Sequence, residues 1–578
     1  MKYMLTAGLC AALFLLAGCT GGPRTSITPT GELEARILRN YDKMETERYQ
    51  PQNVFLDSST DQGWPGDTEG RTILALVRDA QSSGRAPKFL DEMIRLIPER
   101  LNAKGYIGPI YEGKKNEQQL SGHGWFLRGL CEYYKWKKDP AVLDLIKGIT
   151  YQLFMVNPED YAAYPIDPKD RTQDVGEAIG SNDKTIGNWI LSTDVGCIFI
   201  ATDGLIEANE LLHDPAIDKV INDVIGKFLV FDPVGIRAQA HATLTGCRAL
   251  LRYCFAKDNP AYLHRVEEIW TLYKQYCMTE NYENYNWFCR YNSHSEPCAI
   301  VDSYMVAYQL WQLTGNAAYL DDAELIYYNG ICHTQHDHGG FGLDNNPGRA
   351  LRTAELTVNR DEVYWCCTMR GAEGFWSVLN SSYDIRDGRI YVPFYYGSTL
   401  TFGEDAYLTQ EASYPFGDEV VFTLHAAKPQ ALALRIPAWA ELQEISLNGE
   451  KADYKVENGF AMPDKALQPE GRLTLKFGLT VRTEPAINSQ NTRAGQFRVC
   501  YGPFVLGLDP AAAMPAEDNA GSDMESEATD ALTTTDRFTV KPGPVVEVEG
   551  KNIVLRPLYH LMDPAVKTGP DYRRQILF

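Results

Sequence analysis

Cys366 and Cys367 are adjacent, in the run Tyr364-Trp365-Cys366-Cys367-Thr368-Met369-Arg370. Neighbouring cysteines rarely bond to each other, because the ring they would close is strained. Both sulfurs therefore remain available to a common acceptor. Upstream, Glu296-Pro297-Cys298 sets a carboxylate and a thiol two positions apart. Glu296, Cys298, Cys366 and Cys367 together are three sulfurs and one oxygen, a donor set suited to Zn2+ in tetrahedral coordination. The spacing fits no common zinc finger, and the competing reading is a group of buried free thiols, which are frequent core residues.

Histidines and tryptophans surround these motifs. Cys332-His333-Thr334-Gln335-His336-Asp337-His338-Gly339-Gly340 gathers three histidines. They read as a loop lining a pocket after a helix, with His336 in reach of a ligand; the alternative is a second metal site. Trp287 and Trp365 flank the motifs, placed either to stack on a sugar ring or to pack in the core.

The elements that must position these groups are helical first and extended later. Leu33, Ile37 and Tyr41 recur at helical spacing, as do Phe89, Leu90, Met93, Ile94 and Ile97. Asp139-Pro140, Asp214-Pro215 and Asn259-Pro260 each place a capping residue before a proline suited to a first helical turn, and Asn316-Ala317 is a variant without the proline. Each motif closes one helical stretch and opens the next, so the pattern is a series of αα-hairpins. Closed in a ring, such hairpins form an α/α toroid whose loops build a cleft; the irregular spacing disfavours an open solenoid. After Tyr383 the pattern changes to short β-prone runs at Ile390–Val392, 420–424, 432–436, 445–447 and 473–477, with Asn448-Gly449 as a hairpin turn. These predict a β-sandwich.

At 578 residues the chain is long enough for two to four domains. Its net charge of −21, without a basic block, makes it a poor partner for nucleic acid or an anionic lipid surface. Met1-Lys2-Tyr3 precedes an apolar run from Met4 to Gly18, which reads as a secretory signal and falls short of the ~20 residues a spanning helix needs. Leu16-Ala17-Gly18-Cys19 resembles a bacterial lipobox, in which Cys19 would carry lipid; the alternative is an ordinary signal peptide. The expected layout is a leader at 1–18, a lipidated tether at 19–32, a toroid at 33–385, a β-sandwich at 386–509, a flexible acidic linker at 510–536 and a small C-terminal β unit at 537–578. The membrane would then be met only through the anchor, on the periplasmic face of a bacterial envelope. Cysteines other than Cys10, Cys19 and the metal candidates are open to either thiol or disulfide roles.

The chain resembles the bacterial β-L-arabinofuranosidase family of zinc-thiolate glycoside hydrolases. Glu296-Pro297-Cys298 stands for the family's Glu-Thr-Cys, and Cys366-Cys367 for its cysteine pair. Tyr391-Val392-Pro393-Phe394, Arg435-Ile436-Pro437-Ala438-Trp439 and Tyr501-Gly502-Pro503 echo its β region. The resemblance implies an (α/α)6 toroid followed by β-sandwich domains, Zn2+ held by Glu296, Cys298, Cys366 and Cys367, and Cys366 as nucleophile. It places the acid/base sixteen positions before Glu296, at Glu280, with Glu283 as a rival because the family's glycine-rich approach is absent. It also implies that His241, in His241-Ala242-Thr243, and His123, in Ser121-Gly122-His123, reach the sugar. Arg370 stands where the family has asparagine. As a permanent cation it favours an acidic sugar, unless it is structural.

The expected activity is therefore a retaining glycoside hydrolase acting on an oligosaccharide or polysaccharide side chain of plant type. The other readings are a glycan-binding lipoprotein with a structural zinc, a relative specific for an acidic sugar, and a toroid lyase without thiolate chemistry.

Overall fold

The computed structural model describes residues 25–55, 63–171, 180–257, 259–291, 293–342, 344–345, 355–358, 362–363, 366–487, 495–508, 532–558 and 574–578. Six helices form a closed ring: Asp67–Ser83, Glu117–Lys137, Cys197–Leu212, Ala240–Lys257, Pro297–Thr314 and Cys367–Asn380. Each packs on the next and the last returns to the first. Gly31–Met44, Leu90–Leu96, Pro140–Ile149, Pro215–Val230, Pro260–Tyr276 and Ala318–Ile326 pack outside them, completing an (α/α)6 toroid.

Sequence explains both layers. Outer helices bury one stripe, such as Ile217, Val220, Ile221, Val224, Ile225 and Phe228. Inner helices are buried nearly all round, as in the unbroken run from Glu117 to Tyr133. Asp139, Asp214 and Asn259 accept from the N–H groups of Ala141, Ala216 and Ala261, each with proline in the first turn. Asn316 accepts from Ala318 in the same way. The ring closes tightly where Gly124 meets Gly204: a Cβ at Gly204 would lie 2.1 Å from the Gly124 carbonyl oxygen. No side chain fits there.

Polar residues on the inner helices answer one another. Arg128, Arg248 and Arg370 face Asp203, Asp302 and Glu373 in a buried ionic cluster. Trp125 lies among the guanidinium groups of Arg71, Arg128 and Arg370, at 4.0, 4.8 and 4.8 Å.

Two sheets follow. One has seven strands in the order Ser26–Pro29, Ser398–Gly403, Ala406–Ala412, Glu419–His425, Arg472–Leu479, Ala440–Leu447 and Glu450–Lys451. The other has five: Tyr454–Glu457, Phe460–Pro463, Ala431–Arg435, Arg389–Val392 and Asp384–Arg386. Ile390, Val392, Leu400, Leu408, Phe422 and Leu434 are among the residues that fill the core between them. Asn448 and Gly449 turn the hairpin at φ 52° and 84°.

Three expectations about organisation need correction. Ser26–Pro29 is not tether: it pairs antiparallel with Ser398–Thr401, and a helix begins at Gly31. The strands Val481–Pro485, Phe497–Tyr501 and Phe504–Leu508 leave the sandwich. They join Phe538–Lys541, Val545–Val548, Val554–Pro557 and Arg574–Gln575 in a nine-stranded sheet, so the C-terminal strands are no separate unit. Arg574–Gln575 also pairs with Glu355–Val358, a strand from a toroid loop, tying this sheet to the ring. Most of the expected linker, 509–531, lies outside the described residues, as does the leader. The eleven described cysteines are free thiols. No helix among the described residues is long and apolar enough to cross a membrane.

Candidate active site

Two neighbouring ring helices bring the thiols together at their N-termini. Glu296 occupies the N-cap of Pro297–Thr314, Pro297 its first turn, and Cys298 follows. Cys366 caps Cys367–Asn380, and Cys367 is that helix's first residue. The partial positive charge of both termini favours anionic sulfur there. The ligand atoms of Glu296, Cys298, Cys366 and Cys367 all lie within 4.8 Å of one another and are buried. Cys366 Sγ is 3.2 Å from Cys367 Sγ and 3.7 Å from Glu296 Oε1. Glu296 Oε2 is buried without a hydrogen-bond partner. Three sulfurs and a carboxylate converging, with one carboxylate oxygen unpartnered, fit a thiophilic divalent cation, and this group can hold a metal ion.

Arg71 completes the group. Its Nη1 donates to Cys298 Sγ at 3.6 Å, its Nη2 lies 3.4 Å from His241 Nε2, and its Nε pairs with Asp67 at 2.6 Å. Burial works against a thiolate at Cys298, but donation from Cys366 and Cys367 and the charge of Arg71 hold that thiol well below its usual range. Burial, followed by the proximity of Cys298, pushes Glu296 well up. Burial, followed by the proximity of Cys298, does the same to Cys366 and Cys367. The metal-free group therefore centres its negative charge on Cys298, keeps Cys366 and Cys367 as thiols at neutral pH and disfavours charge on Glu296. A metal needs all four as anions. Uptake must expel those protons, so affinity rises with pH. Titration calorimetry with Zn2+ at pH 7, in buffers of different ionisation enthalpy, should show about two or more protons released per ion. Binding without proton release would contradict this charge distribution.

The segment between the Pro260–Tyr276 and Pro297–Thr314 helices carries two more buried carboxylates. Met278 pairs with Asn284, and Tyr282 turns the chain at φ 62°, a left-handed conformation costly for a side-chain-bearing residue. Glu280 sits at the tip. Its Oε2 accepts from the Ile487 N–H at 2.7 Å, with Arg498 Nε at 3.9 Å, so it faces the C-terminal sheet. Glu283 sits at the base. It accepts from Ser295 Oγ at 2.6 Å and lies 2.7 Å from His333 Nδ1. Ser295 immediately precedes Glu296, which ties Glu283 to the thiol group.

Residues 257–380 match the beta-L-arabinofuranosidase GH127 catalytic domain, and residues 389–479 match the GH127 middle domain. The chain belongs to this family. It is a GH127 glycoside hydrolase, beta-L-arabinofuranosidase-like. Its fold is that of a solved GH127 beta-arabinofuranosidase, at TM-score 0.66 and 14% identity over 96% of this chain and 97% of the other. It is equally that of the GH127 beta-L-arabinofuranosidase from Geobacillus stearothermophilus T6, at 0.66 and 15% over 96% and 99%. A search of curated proteins returned no match.

Within this GH127 site, several residues expected at the sugar are engaged elsewhere. His123 bonds backbone with both ring nitrogens: Nδ1 to Gln119 O at 2.8 Å, Nε2 to Ile107 N at 3.1 Å. Burial holds it down to about 4, so it stays neutral and structural. His241 stacks on Trp125, places Nδ1 2.7 Å from Asp302, and meets Arg71 with Nε2. It supports Arg71 and, through it, Cys298. Arg370 is fully buried against Asp302 and Glu373 in the ring's ionic cluster; it offers nothing to a sugar carboxylate. His336 remains a pocket candidate, buried and stacked on His338 with Nε2 unpartnered. Trp365 lies outside the described residues. Among the described residues the loop histidines form no second metal-binding group. Arg71 escaped the sequence reading, although it stands four positions after Asp67 as an i,i+4 charged pair on the helix Asp67–Ser83.

Proposed function

We propose that this GH127 enzyme cleaves an uncommon pentose, such as β-L-arabinofuranose, from plant-type glycans with retention of configuration. The convergence of Cys366 with Glu296, Cys298 and Cys367 carries the reading. Zn2+ bound by these four residues would keep the sulfurs deprotonated and moderate their nucleophilicity. Cys366 is the attacking group: at 5% exposure it is the least covered of the three cysteines, while Cys298 is held by Arg71. Its sulfur bonds to the anomeric carbon as the glycosidic C–O bond breaks, and a loop carboxylic acid gives its proton to the departing oxygen. The resulting carboxylate takes a proton from water, whose oxygen displaces the sulfur. Two displacements at one carbon give retention. Glu283 supports this role better than Glu280, because its partner Ser295 directly precedes Glu296 of the thiol group. The acidic-sugar reading loses its ground with Arg370.

Turnover of p-nitrophenyl β-L-arabinofuranoside by zinc-loaded enzyme, followed by NMR of the first-formed anomer, tests the reading. Absence of turnover on this and on arabinan or pectin side chains rejects the substrate class; an inverted product rejects the mechanism. We also infer a lipid-anchored, periplasmic location from Leu16-Ala17-Gly18-Cys19. Cells fed a labelled fatty acid should label the wild-type chain and not Cys19→Ala; an unlabelled wild type removes the anchor.

A further inference from the structure

Outside the thiol group, one neighbourhood of the ring collects buried polar atoms that lack a hydrogen-bond partner among the described residues. Asp194 lies in the loop between the Trp189–Ser192 strand and the Cys197–Leu212 helix. Its backbone is pinned: its N–H donates to Ser192 Oγ at 3.1 Å, and its carbonyl accepts from Cys197 Sγ at 3.0 Å. The next carbonyl, of Val195, accepts from Gln239 N at 3.1 Å. Gln239 bridges to Trp287, and Ala240 N donates to Asn286 O at 2.8 Å. Three separate segments are thus stitched side by side.

Their side chains are 1–5% exposed, yet Asp194 Oδ1, Gln239 Oε1 and Asn286 Oδ1 and Nδ2 have no hydrogen-bond partner, and the Trp287 indole is turned toward the Asp194 carboxyl. Each such group costs about 1–3 kcal/mol when left unmet. Gathered in one place, three acceptors and one donor offer both kinds of partner to sugar hydroxyls. Asn286 N donates to the carbonyl of His294, two positions before Glu296, and Gln239 stands two positions before His241, whose Nε2 meets Arg71 at 3.4 Å. The wall therefore borders the thiol group.

Its charge is one-sided. Glu117 also bears on Asp194, and with burial as the larger cause pushes it up to about 7. The nearby guanidinium groups are engaged: Arg71 with Asp67 and Cys298, Arg171 with Glu117, Arg290 over the Trp287 ring. Among the described residues, a ligand carboxylate here would meet acids, and the guanidinium groups nearby already have partners.

We propose that Asp194, Gln239, Asn286 and Trp287 form the hydroxyl-binding wall of the sugar site and select neutral sugars over those bearing a carboxylate. This rests on the glycosidase reading above. Calorimetric binding of L-arabinose, D-galactose and D-galacturonate to the zinc-loaded enzyme tests it, because these share ring hydroxyl configuration and the last two differ by the carboxylate. Wild type should bind a neutral sugar and exclude galacturonate. Asp194→Asn should weaken neutral binding about tenfold and narrow the discrimination, with metal content unchanged. Should Asp194→Asn fail to fold, Asn286→Ala and Gln239→Ala carry the same test. Galacturonate binding as tightly as the neutral sugars overturns the proposal, as do variants at wild-type affinity or a wild type that binds none of the three. L-arabinose binding without turnover of the arabinofuranoside rejects the proposed reaction and leaves this wall standing.

Discussion

Alanine at Cys366 should lower glycoside turnover by roughly 10^4-fold or more while the toroid stays folded. The size of the effect follows from the sulfur's place in both displacements: without it, neither C–S bond formation nor its reversal is available, and the loop carboxylates have no route to replace it. Cys366 is also a candidate ligand, so loss of metal must be separated from loss of the nucleophile. Cys298→Ser and Cys367→Ser supply the contrast. Both weaken the donor set, and their activity should fall with metal occupancy and recover in excess Zn2+. Cys366→Ala, even when metal analysis shows it loaded, should not recover. A rapid-quench burst of nitrophenol in the wild type, with a matching mass increase on the peptide containing Cys366, would fix the position of the covalent bond. Undiminished turnover by metal-loaded Cys366→Ala would remove sulfur from the mechanism.

The chemistry of this site was legible because it is written in residue types at helix starts. Cys366-Cys367 and Glu296-Pro297-Cys298 declare themselves as ligands in sequence, and Pro297 marks the turn that aims them. The outer helices were equally plain, since Asp139, Asp214 and Asn259 cap them by local contacts. What the resemblance did not convey is which partners within the protein His123, His241 and Arg370 take. Inner helices of a closed ring are buried on every side, so His123, His241 and Arg370 had to find partners within the protein, and those partners are distant in sequence. Arg71 shows the same effect from the other direction: Asp67 is one turn away, but Cys298 lies 227 positions on. The nine-stranded sheet escaped for the same reason. Its pairing of Glu355–Val358 with Arg574–Gln575 is fixed by tertiary packing of short strands that carry little period of their own.

The two loop carboxylates should separate cleanly under substitution. Glu283→Ala should cut kcat by about 10^2- to 10^4-fold on substrates with poor leaving groups, and far less on nitrophenyl glycosides, whose leaving oxygen needs no proton. Azide should restore turnover in this variant by taking the place of the activated water, giving a glycosyl azide. Glu280→Ala should instead act on structure. It frees the Ile487 N–H and removes one of the two acids beside buried Arg498, whose other partner is Glu484 at 2.9 Å. Its melting temperature should fall, with kcat loss independent of the leaving group and no azide product. The asymmetry comes from where each side chain is anchored: Glu283 to Ser295, the residue before Glu296, and to His333, and Glu280 to Ile487 and Arg498 of the C-terminal β region. Proton transfer requires a carboxyl within one hydrogen bond or one water of the departing oxygen. Only a side chain that moves with the nucleophile's own helices keeps that distance through both displacements, and leaving-group dependence in Glu280→Ala, with azide rescue, would assign the role to the other carboxylate.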